Sequence, residues 1–163
     1  MTFTLKAITI AVSLTATIAS AQAVRTEKNM SLELANQIAS ATLASCNAGG
    51  YNVAVAVVDR AGTLRAFQRA DNAGPHTIGA AQGKAFTSAS AKNNTGAMLE
   101  NVQKNPGAAT LVNIPGFLVL GGGVPVKVGN EVIGAVGVGG APGGHLDEAC
   151  AVAGIDKVKE LLK

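Results

Sequence analysis

The sequence beyond residue 23 predicts an α+β domain, a five-stranded antiparallel sheet with helices packed on it. Three observations carry this. The apolar runs YNVAVAVVD and TLRAFQRA flank a short turn, so the sheet begins as a hairpin. A glycine-punctuated stretch, GFLVLGGGVPVKVGNEVIGAVGVGG, supplies three more short strands. Helical periodicity is confined to separate segments before, between and after these strands. Hairpin-joined strands with segregated helices are the α+β pattern, not the βαβ one.

The elements follow in order. Ser31 is the candidate N-cap of a first helix, and Glu33 stands in its first turn, where the helix dipole favours an anion. Leu34, Ile38, Ala41, Thr42 and Cys46 recur at helical spacing, and Gly49-Gly50 can end the helix. YNVAVAVVD has no polar face, so it reads as a central strand. Asp59 to Gly62 form a turn with glycine last. Pro75 suits the first turn of a second helix, with Ile78, Ala81, Ala85 and Ala89 on one small-residue stripe. Such a stripe lets the helix lie close to a sheet or another helix. Thr95 is read as the cap of a short third helix, closed by Pro106-Gly107. Gly129-Asn130 is a two-residue hairpin turn, and Pro125 places its strand at an edge or at a strand start. A last helix runs from about Leu146 to Leu162, with Cys150, Gly154, Val158 and Leu161 aligned and lysines at its C-terminal end.

Residues 1–23 read as a secretory signal peptide. Lys6 supplies the positive charge, residues 7–19 an uncharged and mostly apolar run, and Ala21-Gln22-Ala23 a small-residue cleavage site. The run is short for a bilayer span. A periplasmic or secreted single domain of residues 24–163 is therefore expected. Cleavage removes one lysine, so the net charge falls from +3 to +2. So weak a balance, with no clustered Lys/Arg stripe, excludes a nucleic-acid partner. With no Trp and few aromatics, the core must be built from Ala, Val, Ile and Leu. Two cysteines, Cys46 and Cys150, remain in a chain destined for an oxidising compartment, where a bridge is plausible.

The chemical motifs are sparse. The loop after VIGAVGVGG has the strand–glycine–helix order of phosphate sites, but no G-x-G-x-x-G register fits, because the sixth position is Pro142. The helix that follows opens with Asp147 and Glu148, which repel phosphate, so the glycines read as points of close backbone approach. Asp147 and Glu148 are adjacent, diverge on a helix, and read as dipole partners. His76 and His145 are the only histidines, and no Cys/His spacing resembles a zinc site. Each is either a solvated or core histidine or a single axial haem ligand. Nucleophilic catalysis finds no support, since Cys150 and His145 do not share a helix face and no G-x-S-x-G is present. Lys84, alone amid alanines, is either a snorkelling surface residue or a partner for an acidic ligand group such as a propionate.

LRAFQRADNAGPHTIGAAQGKAFT, GGGVPVKVGNEVIGAVGVGG and HLDEACAVAGIDKV together resemble the GlcG/HbpS family of haem-binding or haem-degrading domain proteins. The resemblance spans roughly Ser31 to Leu162. It implies a profilin- or PAS-like fold, homo-oligomers and, in some members, haem or a related tetrapyrrole as ligand. Thr95 falls where some members place a ligating or pocket threonine. Candidate cofactor-binding residues are thus His76, Lys84, Thr95 and His145, with haem the cofactor. In such a fold the first and last helices share a sheet face, which brings Cys46 and Cys150 together as a disulfide. The function implied is exported binding of haem or a tetrapyrrole. The alternatives are a haem-degrading or small-acid enzyme, and a non-catalytic oligomeric module with Ile78–Ala89 as its interface.

Overall fold

The computed structural model describes residues 23–163. The signal-peptide reading therefore falls almost wholly outside the described residues.

Helix α1 (Leu32–Ala48) is followed by strands β1 (Ala54–Asp59) and β2 (Leu64–Arg69). Helices α2 (His76–Ala91) and α3 (Thr95–Lys104) come next, then a 3-10 stretch at Pro106–Asn113. Strands β3 (Gly123–Val128) and β4 (Glu131–Gly139) lead into helix α4 (Gly144–Lys157). Among the described residues the sheet has four strands in the order β2-β1-β4-β3, every neighbouring pair antiparallel. The architecture is α+β, as read from the sequence, with one strand fewer.

The strand expected in GFLVL does not form, because its polar groups are claimed elsewhere. Leu118 N donates to the Thr87 hydroxyl on α2 at 2.7 Å, and Leu120 O accepts from the Thr95 hydroxyl on α3 at 2.6 Å. The segment is tied to helices instead of a ladder.

Other local readings hold. Ser31 caps α1, its hydroxyl accepting from Leu34 N at 3.1 Å. The Asp59–Gly62 turn closes with Gly62 N on Asp59 O at 2.9 Å, and Gly62 takes φ +80°. The hairpin turn has positive φ only at Gly129, the pattern of a type II′ turn, with Val128 facing Glu131 across it. Pro125 lies on β3, an edge strand where a missing N–H breaks no ladder.

The two faces of β1 differ in size, and this sets the layers. Val53, Val55 and Val57 join Ile38, Cys46, Val136, Val138 and Cys150 in the larger core beneath α1 and α4. Ala54 and Ala56 meet Ala81, Ala85 and Ala89 of α2 on the opposite face. Small residues on both surfaces let α2 lie almost on the strands. At Gly137 a Cβ would collide with the backbone of Ala81 and Ala85. The alanine stripe is thus used up against the sheet and is not an oligomer face, although Ile78 at its start is partly exposed. The close-approach reading of Gly137 and Gly139 is correct.

Cys46 and Cys150 are joined as a disulfide, with Cα atoms 5.2 Å apart. The helices that carry them cross closely, since Gly154 lies against Thr42. Helix α4 ends at Lys157, earlier than expected, which leaves Leu161 exposed.

Candidate functional site

Lys84, Thr95, His145, Asp147 and Glu148 gather where α2, α3, the loop before β3 and the start of α4 meet, while His76 lies apart from them. Lys84 is buried on α2, its ammonium donating to Asp147 Oδ2 at 2.7 Å and to Val138 O at 2.9 Å. The surface reading of Lys84 is therefore overturned. Its position was legible in part: it stands three residues after Ala81 and four before Ser88, on the face that packs on the sheet. Asp147 is more than a dipole partner. Its second oxygen accepts from Ala141 N at 2.9 Å, which fixes the bend between β4 and α4. Gly122, at φ +123°, gives the pair room, because a Cβ there would strike Asp147 and the Lys84 ammonium.

Asp147 and Glu148 do diverge. Glu148 turns to α3, accepting from Asn94 Nδ2 at 2.8 Å and Gly96 N at 3.1 Å. A carboxylate from α4 thus satisfies a free N–H at the start of α3, where the dipole also favours it. Asn94, not Thr95, is the N-cap residue of α3. Thr95 is its first helical residue and is fully buried. Its hydroxyl donates to Leu120 O and accepts from Gly123 N at 2.7 Å, so it pins the glycine loop to the helix. No local pattern discloses the Glu148–Asn94 contact, whose residues lie 54 apart in the chain.

These anchors hold α3 and α4 on either side of an open groove of about 990 Å³. Its apolar lining includes Ala97, Leu99, Ala149 and Val152, and its polar rim includes Glu100, His145, Glu148 and Asp156. Among the described residues no Lys or Arg lines it. His145, exposed on the first turn of α4, is the one sequence-nominated histidine in the groove. His76 is exposed at the start of α2 and does not line it. Lys84 and Thr95 lie behind the groove wall, with their polar atoms engaged. Among the described residues no group of three or more His, Cys, Asp or Glu side chains is placed to hold a metal ion. No described helix is long and apolar enough to cross a membrane.

The family model for haem degrading protein HbpS-like matches residues 30–156. The chain belongs to the HbpS-like family. The resemblance read from the sequence is thereby established over most of the described chain. Protein GlcG of Escherichia coli K12 is 35% identical over 114 residues, covering 70% of this chain and 84% of GlcG. A crystal structure of a Streptomyces reticuli HbpS double mutant superposes with a TM-score of 0.79 at 35% identity, covering 90% of this chain and 98% of that one. The PduOC:heme complex shares the fold, with a TM-score of 0.70 at 23% identity, covering 78% of this chain and 94% of that one.

Proposed function

We propose that this protein is an exported binding protein for haem or a related tetrapyrrole, held in the groove between α3 and α4 with His145 as the iron ligand. The observation that carries the reading is the groove itself. It is large enough for a ligand of tetrapyrrole size, apolar along its walls, and edged by a single imidazole. The HbpS-like family description and the heme of the PduOC neighbour support haem as the ligand. Haem fits the residues present through its ring, which the Ala97, Leu99 and Val152 walls can cover. Haem would supply an iron centre; the chain's own part is to shelter the ring and offer one nitrogen. Titration of purified protein with ferric haem tests this. A Soret shift is expected, lost in His145→Ala and kept in His76→Ala and Thr95→Ser. No shift at micromolar haem contradicts it.

Export is supported by the Lys6, apolar and Ala-Gln-Ala sequence, and by a disulfide that an oxidising compartment would preserve. N-terminal sequencing of periplasmic or secreted protein is expected to begin at Val24. Self-association is supported by exposed Leu64, Val112 and Ile114, and light scattering that finds a strict monomer contradicts it.

A second reading, haem degradation, draws on the family description. It predicts loss of the Soret band with iron release when ascorbate is added in air, dioxygen oxidising the ring and ascorbate supplying the electrons. Retention of intact haem under those conditions rejects it.

A further inference from the structure

A second concavity lies away from the groove, at the end of the sheet where α1 stops and β2 leaves. It measures about 470 Å³ and is bounded by the C-terminal end of α1, residues 50–52 and residues 69–72. Its polar lining is Asn47, Asn52, Asn72, Tyr51, Arg69 and Asp71, and Leu43 contributes an apolar patch. Among the described residues Arg69 and Asp71 form no ion pair, either with each other or with a third residue. Two opposite charges therefore share one small pocket without neutralising one another.

Each has an ordinary chemical complement. The planar guanidinium of Arg69 matches a carboxylate. Asp71 matches an ammonium. The nearby end of α1 is closed by its own turn, with Gly49 N and Tyr51 N donating to Cys46 O at 3.0 Å and Gly50 N to Asn47 O at 2.9 Å, so Asp71 is the group in this lining that calls for a cation. The three amides and the Tyr51 phenol add donors and acceptors for orientation. A simple anion would meet Asp71, and a simple cation would meet Arg69. A ligand carrying both charges a few bonds apart satisfies both.

We infer that this pocket binds a small zwitterion of the α-amino acid class, its carboxylate on Arg69 and its ammonium on Asp71 beside the C-terminus of α1. The site is separate from the tetrapyrrole groove and does not depend on it.

Isothermal titration of the full-length processed protein with the standard L-amino acids, propionate and ethylamine tests the assignment. At least one amino acid is expected to bind, with propionate and ethylamine at least about tenfold weaker, or 1.4 kcal/mol. Arg69→Gln and Asp71→Asn are each expected to weaken binding at least about tenfold, the same 1.4 kcal/mol. Both side chains are exposed, and unchanged far-UV circular dichroism confirms that the variants fold. His145→Ala is expected to leave binding unchanged. Absence of binding by every amino acid overturns the inference. So does propionate or ethylamine binding as tightly as the best amino acid, and so does binding indifferent to Arg69→Gln and Asp71→Asn.

Discussion

The Lys84 ammonium and the Asp147 carboxylate meet at 2.7 Å, both almost fully removed from water, across 63 residues of sequence. The contact ties the helix beneath one sheet face to the start of the helix on the other, through the end of β4. Removing one partner leaves the other charge buried and alone, which costs about 3–5 kcal/mol. Asp147→Ala and Lys84→Ala are each expected to lower unfolding free energy by that order in urea. Lys84→Met combined with Asp147→Leu is expected to cost much less than the sum of the two single losses, because a buried pair contributes little net stability over an apolar replacement. Single variants within about 0.5 kcal/mol of wild type, the range of ordinary surface changes, would contradict the burial of the pair.

The disulfide restricts a long stretch of the unfolded chain, since its cysteines are 104 residues apart. Replacing both cysteines with alanine is expected to cost about 2–4 kcal/mol and to lower the urea midpoint. The far-UV spectrum of the folded state is expected to stay unchanged. A labelling assay on untreated protein is expected to find no free thiol, and two after denaturation with reductant.

Two glycines of the α2 layer should respond to the same substitution with opposite signs. Gly79 lies on an exposed turn of α2 with nothing within reach of an added Cβ. Gly79→Ala is expected to stabilise by about 0.5–1 kcal/mol through helix propensity and a less flexible unfolded chain. Gly137 lies under α2, where a Cβ meets the backbone of Ala81 and Ala85. Gly137→Ala must push the helix off the sheet and is expected to destabilise by about 1–3 kcal/mol or more. Thermal melts of the two variants check both signs.

Glu100 and Asp156 lie on the groove rim, which no Lys or Arg among the described residues lines; Lys104 offsets Glu100 in part from outside, at 3.2 Å, so the rim stays net negative toward a haem propionate. Glu100→Gln with Asp156→Asn is expected to tighten haem binding about two- to fivefold, with exposed charges each contributing a few tenths of a kcal/mol. High salt should shrink the difference. Spectroscopic titrations at low and high ionic strength measure it. Weaker binding by the double variant would place the propionates against the carboxylates' hydrogen-bonding partners and contradict the repulsion.

The sequence disclosed what local chemistry controls. The Ser31 cap, the Asp59–Gly62 turn, the Gly129-Asn130 hairpin, the edge position of Pro125 and the two-sided burial of β1 all follow from residues close together in the chain. The disulfide needed more, since only the family's arrangement of helices placed Cys46 near Cys150. The missing fifth strand was not legible, because GFLVL has strand composition and loses its ladder only to the Thr87 and Thr95 hydroxyls on two helices. The site divided in the same way. His145, read from the sequence as a candidate haem ligand, lines the groove. The roles of Lys84, Asp147 and Glu148 depend on partners 63 and 54 residues away, which periodicity does not reveal.

Amide NMR spectra recorded on adding ferric haem show whether the α3–α4 groove receives a tetrapyrrole. Paramagnetic broadening is predicted at Ala97, Leu99, Ala149 and Val152, with Asn47, Tyr51 and Arg69 unaffected. Broadening centred elsewhere, or none with haem in excess, would contradict it.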